Sequence, residues 1–485
     1  MKNKLDQSKK PFFESVLNYI SKGRTSFHMP GHTRGRGAPP ELLEFFGKNV
    51  YLADLTEVEG LDYLHKPIGI VKKAQELAAD AFGADYSFFL VNGSTVGVIA
   101  MILASVKPKE KLILQRNSHR SAIAGLVLGQ IEPVFIQSNF NSELGIFTGI
   151  TPDDLLKCIM KNPDAKAVLL TSPNYYGMAT DLDGLIKVAR DHKLTVLVDE
   201  AHGVHFHFNP YLPKSAVDLR ADMVVQSIHK TLPSFTQTSI LHLNEDKIEK
   251  ERIQTLLAYL QTSSPSYLFM MSIDAVRSYM AIKGKEIIDR EIEIANFARA
   301  EIKKFKYIKS FDKNEIIGKD GVFDFDPTKL TITTKYAGYS GFEVESILNS
   351  KFNIEIELSD MNNILCFITA GSSTEDIKKL ISALTYFDEN KKIMDNEFEI
   401  ELPNIPPLKM LPTLTFSKTP ELIPFSESAG AISYDVICPY PPGIPLLIPG
   451  EIITEEVVEF INKLKRKGAD IQGLTQNNKI KVVNN

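Results

Sequence analysis

The chain has 485 residues, room for about three domains of ordinary size, and its 44% hydrophobic and 24% charged content is the balance of a globular protein. Fifty-five Lys and Arg against 60 Asp and Glu leave a net charge of −5, with no basic excess to neutralise phosphates, which argues against a nucleic-acid scaffold. The longest apolar stretch, Val96 to Val106, is far short of the ~20 residues that span a bilayer; MKNKLDQSKKPFF lacks the apolar core of a signal peptide, and three scattered cysteines without a CxxC fit a reducing cytoplasm.

Residues 1–50, polar and Pro/Gly-rich around a short helical stretch, read as an arm. From about 66 to 245 helical and strand patterns alternate. IVKKAQELAADAFGAD leads to the strand SFFLV (87–91), then a helix (95–106), KLILQ (111–115), a helix near 120–128 and EPVFI (132–136). A helix (152–162), AVLLT (167–171), a helix (182–193), LTVLV (194–198) and DMVVQS (222–227) follow. Short apolar runs between amphipathic helices predict βαβ units and a mostly parallel sheet, so chemistry is sought beyond the strands' carboxyl ends. A long helical stretch (268–306), a smaller α/β segment (329–385), a charged and then Pro-rich linker (386–410) and a tail with the turn-rich run YPPGIPLLIPGE and a helix near 453–467 complete the chain.

Four strand ends carry reactive residue types. Gly93-Ser94-Thr95 follows SFFLV and opens a helix, a pattern that suits a phosphate but also an ordinary turn with a helix cap. Asn117-Ser118-His119-Arg120 follows KLILQ, where the histidine either caps and packs or does chemistry. Asp199-Glu200-Ala201-His202-Gly203 follows LTVLV, and a carboxylate ending a buried strand needs a cation or donors. Such an acid serves Mg²⁺ in nucleoside triphosphatases or a protonated pyridine in pyridoxal phosphate enzymes. The first needs GxxxxGK[ST], and the Gly-Lys pairs at 47–48 and 284–285 have Leu42 and Tyr279 where the first glycine belongs. Ser227-Ile228-His229-Lys230 follows DMVVQS, 31 residues beyond Asp199. A lysine that forms an imine with an aldehyde cofactor needs such a setting. No metal is expected: Pro30-Gly31 interrupts His28 and His32, and His202, His205 and His207 lack a supporting helix or cysteine cluster.

Together these motifs resemble the fold-type I pyridoxal phosphate decarboxylases of the ornithine/lysine/arginine family. The resemblance runs through FHMPGH (27–32), DLTEVEGLDYLHKPIG (54–69), GADYSFFLVNGSTVG (83–97), RNSHRS (116–121), SPNYYG (172–177), VLVDEAHGVHFHF (196–208), SIHKTLPSFTQTSIL (227–241), TSSPSYLFMMSIDAVR (262–277) and YPPGIPLLIPGE (440–451). It is similar above all to the shorter bacterial arginine decarboxylases, including IEIELSDMNNILCFITAG (354–371), and that resemblance implies a chain that starts almost at the family's arm; no receiver-like domain of the kind larger relatives carry is expected. Asn174 stands in SPNYYG where relatives often carry Thr.

The resemblance implies an aspartate aminotransferase-like α/β fold divided into an arm (1–65), a large cofactor-binding domain with a mostly parallel sheet (66–275), a smaller α/β domain (276–388) and a C-terminal domain (389–485). It implies pyridoxal 5′-phosphate held covalently by Lys230, with Asp199 on the ring nitrogen, His119 on one ring face and Ala201 on the other. Gly93, Ser94, Thr95, Ser227 and His229 would surround the phosphate, with His202 in the cofactor set and Thr262 reaching a neighbouring subunit's phosphate. The implied reaction is decarboxylation of L-arginine to agmatine, with lysine or ornithine decarboxylation and an inactive regulatory homologue as alternatives. Lys230 or His119 returns the proton to Cα. An aminotransferase would need an arginine clamp for the substrate carboxylate, and 329–385 contains no arginine. A basic substrate calls for a carboxylate at the far end of its pocket; Glu357, Asp360 and Glu451 are the candidates. A cytoplasmic homodimer or larger assembly is expected, without nucleic-acid or membrane partners.

Overall fold

A computed structural model describes residues 5–244, 247–393, 398, 400–440 and 443–484. Met1–Lys4 of the opening segment, positions 394–397 and 399 of the linker, and Pro441 and Pro442 of the turn-rich run lie outside the described residues. Among the described residues no helix is long and apolar enough to cross a membrane.

The arm carries helices α1 (Pro11–Ser21), α2 (Pro40–Phe46) and α3 (Lys48–Ala53). The alternating region then runs α4 (Ile70–Phe82), β1 (Tyr86–Leu90), α5 (Gly93–Ser105), β2 (Lys111–Gln115), α6 (Arg120–Gly129) and β3 (Glu132–Ile136). A small hairpin of β4 (Phe140–Asn141) and β5 (Ile146–Phe147) precedes α7 (Pro152–Lys161), β6 (Ala167–Thr171), β7 (Met178–Ala179), α8 (Leu182–Asp191) and β8 (Thr195–Asp199). After β8 come β9 (Met223–Ser227), the single turn α9 (Ile228–Thr231), β10 (Ser239–Leu243), α10 (Lys250–Leu260) and the long α11 (Tyr267–Ile302). The expected elements are present within a few residues. The short strands β4, β5 and β7, the strand β10 and the helix α10 were not foreseen, nor was more than one helix in the arm, and Lys230 stands on a helical turn rather than on a bare strand end.

The chain divides into two compact units, one of Met1–Ala104 and Leu197–Ile288, the other of Ser105–Val196 and Asp289–Asn485. In the first, β1, β10 and β9 lie side by side with β10 antiparallel to both neighbours, and the end of β8 runs parallel to β9. These strands are almost wholly buried, which is why they read as continuous apolar runs rather than alternating ones.

In the second unit β2 lies between β6 and β3, parallel to both. Helix α7 starts at Thr151, whose side chain accepts from Asp154 N while Asp154 answers at the Thr151 N–H, with Pro152 in the first turn. A four-stranded antiparallel sheet follows, of Lys309–Ser310, Lys329–Thr333, Asn363–Phe367 and Leu358–Ser359. It shares an apolar core with the helix Thr374–Glu389 through Ile332, Ile364, Leu380, Leu384 and Phe387. The tail packs Ile437, Leu447, Val457, Ile461 and Ile480 around the helix Glu455–Arg466. Thr454 caps that helix, its first turn is acidic and its last is basic, matching the helix dipole at both ends.

Candidate active site

In the first unit a hydroxyl cluster forms where β1 turns into α5. Gly93 has φ +73°, the left-handed region that favours glycine. Gly97 lets α5 lie against the strands: a Cβ there would stand 2.6 Å from Val225 Cγ2 and 2.8 Å from Leu90 Cδ1. The turn is fastened from behind. Gly93 N donates to Gln237 O (2.9 Å), Gln237 Nε2 to Val91 O (2.6 Å) and Val91 N to Gln261 Oε1 (2.8 Å). Ser94 Oγ then meets Ser227 Oγ at 2.7 Å and Ser239 Oγ at 2.6 Å. Sequence reading named Ser94 and Ser227 but missed Ser239, which stands opposite Ser227 in the β9–β10 register. Only recognition of β10 as a strand would have found it. Thr95, the next residue, is exposed. Thr262 is also exposed, with its N–H on Asn92 Oδ1 (3.1 Å) and its carbonyl on His65 Nε2 (2.7 Å).

The same unit brings Asp199, Ala201, His202 and Lys230 together. Asp199 ends β8, buried, and its Oδ1 accepts the Ala201 N–H at 3.1 Å. Burial raises its pKa, against the lowering effect of the Lys230 charge and the Ala201 N–H. Lys230 is half-buried, and its Nζ meets His202 Nε2 at 2.8 Å. His229 places Nδ1 on Thr238 O at 2.7 Å, so Nδ1 carries the proton and the neutral ring has a bare lone pair at Nε2. Burial holds the His229 pKa below the usual histidine range, with the Lys230 charge adding to the effect and the Thr238 bond opposing it.

Glu200, next to Asp199, is fully buried and serves the scaffold. It accepts from Ser215 Oγ (2.7 Å), Ala216 N (2.7 Å) and Gln226 Nε2 (2.6 Å), and burial pushes its pKa up to about 8. Gln226 Oε1 meets His242 Nε2 (3.1 Å), whose Nδ1 meets Ser87 Oγ (2.8 Å); burial pushes the His242 pKa down to about 3, the neutral state this arrangement requires. The HxxHxH run does separate jobs: His202 meets Lys230, His205 packs against Phe206, and His207 pairs with Asp218 at 2.7 Å.

The remaining residues belong to the second unit. His119 caps α6, its Nδ1 accepting from Ser121 N and facing Ser121 Oγ at 2.9 Å, which leaves the proton of the neutral ring on Nε2. Of the three carboxylates named from sequence as substrate readers, two are turned inward. Glu451 is fully buried and clamps Arg116 at both oxygens (2.7 and 2.9 Å) while accepting Ile448 N at 2.9 Å. Asp360 accepts from Tyr176 Oη at 2.5 Å and from the backbone of Asn362 and Asn363. Only Glu357, before Leu358–Ser359, is exposed. The signal missed for Glu451 was Arg116, a buried cation 335 residues away in sequence. Asn174, the departure in SPNYYG, fastens its own turn: Oδ1 accepts from Tyr176 N and Met178 N, and Nδ2 donates to Phe147 O.

A family model described as "Orn/Lys/Arg decarboxylase, major domain" matches residues 10–376, and the C-terminal domain of the same family matches 404–479. The chain is 40% identical over 472 residues to the arginine decarboxylase of Bacillus subtilis, covering 97% of this chain and 96% of that protein. It is 25% identical to the inducible lysine decarboxylase of Escherichia coli K12, over 96% of this chain and 78% of that one. A solved lysine decarboxylase from Francisella novicida superposes with a TM-score of 0.85 at 22% identity, covering 98% of this chain and 81% of that chain, and carries the fold alone.

Proposed function

The chain belongs to the Orn/Lys/Arg decarboxylase family, and from that premise we propose that it decarboxylates L-arginine to agmatine with pyridoxal 5′-phosphate as cofactor. The observation that carries the site reading is the meeting of a buried carboxylate and a lysine amine in one unit. Asp199 is enclosed with a raised proton affinity, and the Lys230 charge is the cation that acts on it. Arginine is favoured over lysine and ornithine by the B. subtilis relative, matched along almost all of both chains.

The donor set fits the cofactor. Lys230 supplies the amine for its aldehyde. Asp199 supplies a buried anion for its ring nitrogen, and Gly93, Ser94, Thr95, Ser227 and His229 supply a cup for its phosphate. Bound there, the cofactor supplies a sink for the electron pair released when the Cα–carboxylate bond breaks.

The chain's own residues do the rest. Asp199 would hold a proton on the ring nitrogen of the bound cofactor, because a carboxylate without water is best stabilised by a cation. Lys230 Nζ donates to His202 Nε2 across 2.8 Å, so His202 holds the amine in place and is the acceptor for its proton when the amine reacts. The same pair can return a proton to substrate Cα, which favours Lys230 over His119 in that role. Ala201 would pack against the bound cofactor, limiting its motion. His229, with Nδ1 committed to Thr238 O, donates to a phosphate through Nε2 only as the imidazolium, so the anion must raise its pKa. Of the three carboxylates named from sequence, the exposed Glu357 is the one we propose for the substrate's distal cation. We further propose a cytoplasmic homodimer or larger assembly in which Thr262 completes a neighbouring site, and the four-part domain division set out from sequence.

The test is carbon dioxide release from arginine, lysine and ornithine in parallel by the purified protein with added cofactor. Arginine is expected to give the highest kcat/KM; a clearly higher value for lysine or ornithine would overturn the substrate assignment. Borohydride reduction should trap the cofactor on the wild type and not on Lys230→Ala, and trapping on both would remove Lys230 from its role.

A further inference from the structure

The hydroxyl cluster of the cup allows one arrangement of protons. A serine hydroxyl has one proton to donate. Ser239 Oγ donates it to the backbone carbonyl of Gln226 at 2.6 Å. Ser94 Oγ, 2.6 Å from Ser239 Oγ, must therefore be the donor in that contact. Its proton spent, Ser94 must accept from Ser227 at 2.7 Å. The chain runs Ser227 to Ser94 to Ser239 to Gln226 O, and in this direction all three protons point inward. These three hydroxyls then offer an incoming dianion lone pairs rather than protons.

We propose that Ser239 is a positioning residue that sets which way this chain runs. If Ser94 turned its proton outward while Ser239 stayed on Gln226 O, two oxygens 2.6 Å apart would face each other with no proton between them. Turning the Ser239 proton onto Ser94 Oγ removes that conflict. Ser94 then donates outward, but Ser239 has given up its bond to Gln226 O, a cost that phosphate binding must offset. Ser239 is fully buried inside β10 and acts only through Ser94. Gln226, whose carbonyl anchors the resting direction, is held by its side chain between Glu200 and His242, so the anchor does not move with the switch. This role rests on the reading of the site as a pyridoxal phosphate site.

The experiment compares binding of pyridoxal phosphate and of pyridoxal, which lacks the phosphate, to the full-length protein stripped of cofactor, followed by absorbance. Ser239→Ala removes the acceptor that draws the Ser94 proton inward, and is expected to tighten pyridoxal phosphate binding by about two- to tenfold, the worth of one hydrogen bond that no longer has to be rearranged, and to leave pyridoxal within about twofold. Ser239→Cys keeps the volume but exchanges a good acceptor for a weak one, and should show the same selective gain if the alanine variant folds poorly. Because Ser239 acts through Ser94, adding Ser239→Ala to Ser94→Ala should change binding little beyond Ser94→Ala alone. Equal changes for the two ligands, a weakening or no change for pyridoxal phosphate, or fully additive effects in the double variant would each overturn the role of Ser239. A wild type that binds pyridoxal phosphate no better than pyridoxal would instead bring down the cofactor reading, and the role of Ser239 with it.

Discussion

Removing Glu451 separates a structural clamp from a substrate contact. Glu451→Ala strands the Arg116 guanidinium, whose side chain is only 6% exposed, and removes two charge-assisted bonds at 2.7 and 2.9 Å. Breaking a buried pair from one side costs about 3–5 kcal/mol. Arg116 keeps its bond to Leu446 O at 2.9 Å and its place over the Phe135 ring at 4.9 Å, contacts common to both forms that leave this difference unchanged. An unfolding entropy near 2.1 cal/mol/K per residue gives about 1 kcal/mol/K for a chain of this length unfolding as a whole. The melting temperature should then fall by about 3–5 °C, and by more if one part melts alone, as calorimetry will show. Replacing both partners by apolar residues, Arg116→Met with Glu451→Leu, should recover at least half of the loss, because no charge is left stranded. The decarboxylation rates carry the second half of the test. A clamp lowers kcat/KM for arginine, lysine and ornithine alike, whereas a carboxylate that reads guanidinium would lose arginine selectively. An unchanged melting temperature with a selective loss of arginine turnover would refute the reasoning.

Other perturbations follow from the same contacts. Asp199→Asn removes the buried anion and should lower kcat by about 10²–10³-fold, the usual cost of one preorganised electrostatic partner; since the native carboxyl has a raised pKa, melting at pH 8 should not fall, and a large fall would show Asp199 to be structural. Glu291, buried on α11, has its pKa pushed up to about 8 by burial first and the Asp326 charge second. A carboxyl with a raised folded pKa stabilises the fold below its ordinary value of 4.5, and that contribution is lost as pH rises through about 8. Glu291→Gln should therefore flatten the fall in stability between pH 5 and 8, which one such group makes as steep as about 1.4 kcal/mol per pH unit, and an unchanged slope in urea titrations would contradict this. Gly97→Ala drives a methyl to 2.6 Å from Val225 Cγ2 and should cost about 1–3 kcal/mol, partly rescued by Val225→Ala; full stability of the single variant would mean that α5 shifts freely.

The site divides by how far apart its parts lie in sequence. Lys230 and Asp199 were legible because Asp199 ends a buried strand and Lys230 follows the end of another by three residues, where a charged side chain is costly without a purpose. Gly93 and Ser94 were legible because a strand running into a helix through a glycine and a hydroxyl is a local pattern. Ser239 and Gln237 were not, since TLPSFTQT hides the start of β10 and a five-residue strand has little periodicity of its own. Glu200 looked like part of a motif, and its partners Ser215 and Gln226 gave no local sign.

What the sequence determined by itself was the alternation of elements, the strand ends that hold reactive groups and the motifs that mark the family, because helix and strand periods, caps and turn residues act over a few positions. What only the tertiary structure decided was pairing: which hydroxyls share one chain of protons, and that Glu451 faces Arg116 and Asp360 faces Tyr176 rather than solvent. A carboxylate's role is set by the charge and donors within a few ångströms of it, and residues hundreds of positions apart become neighbours only when the chain folds.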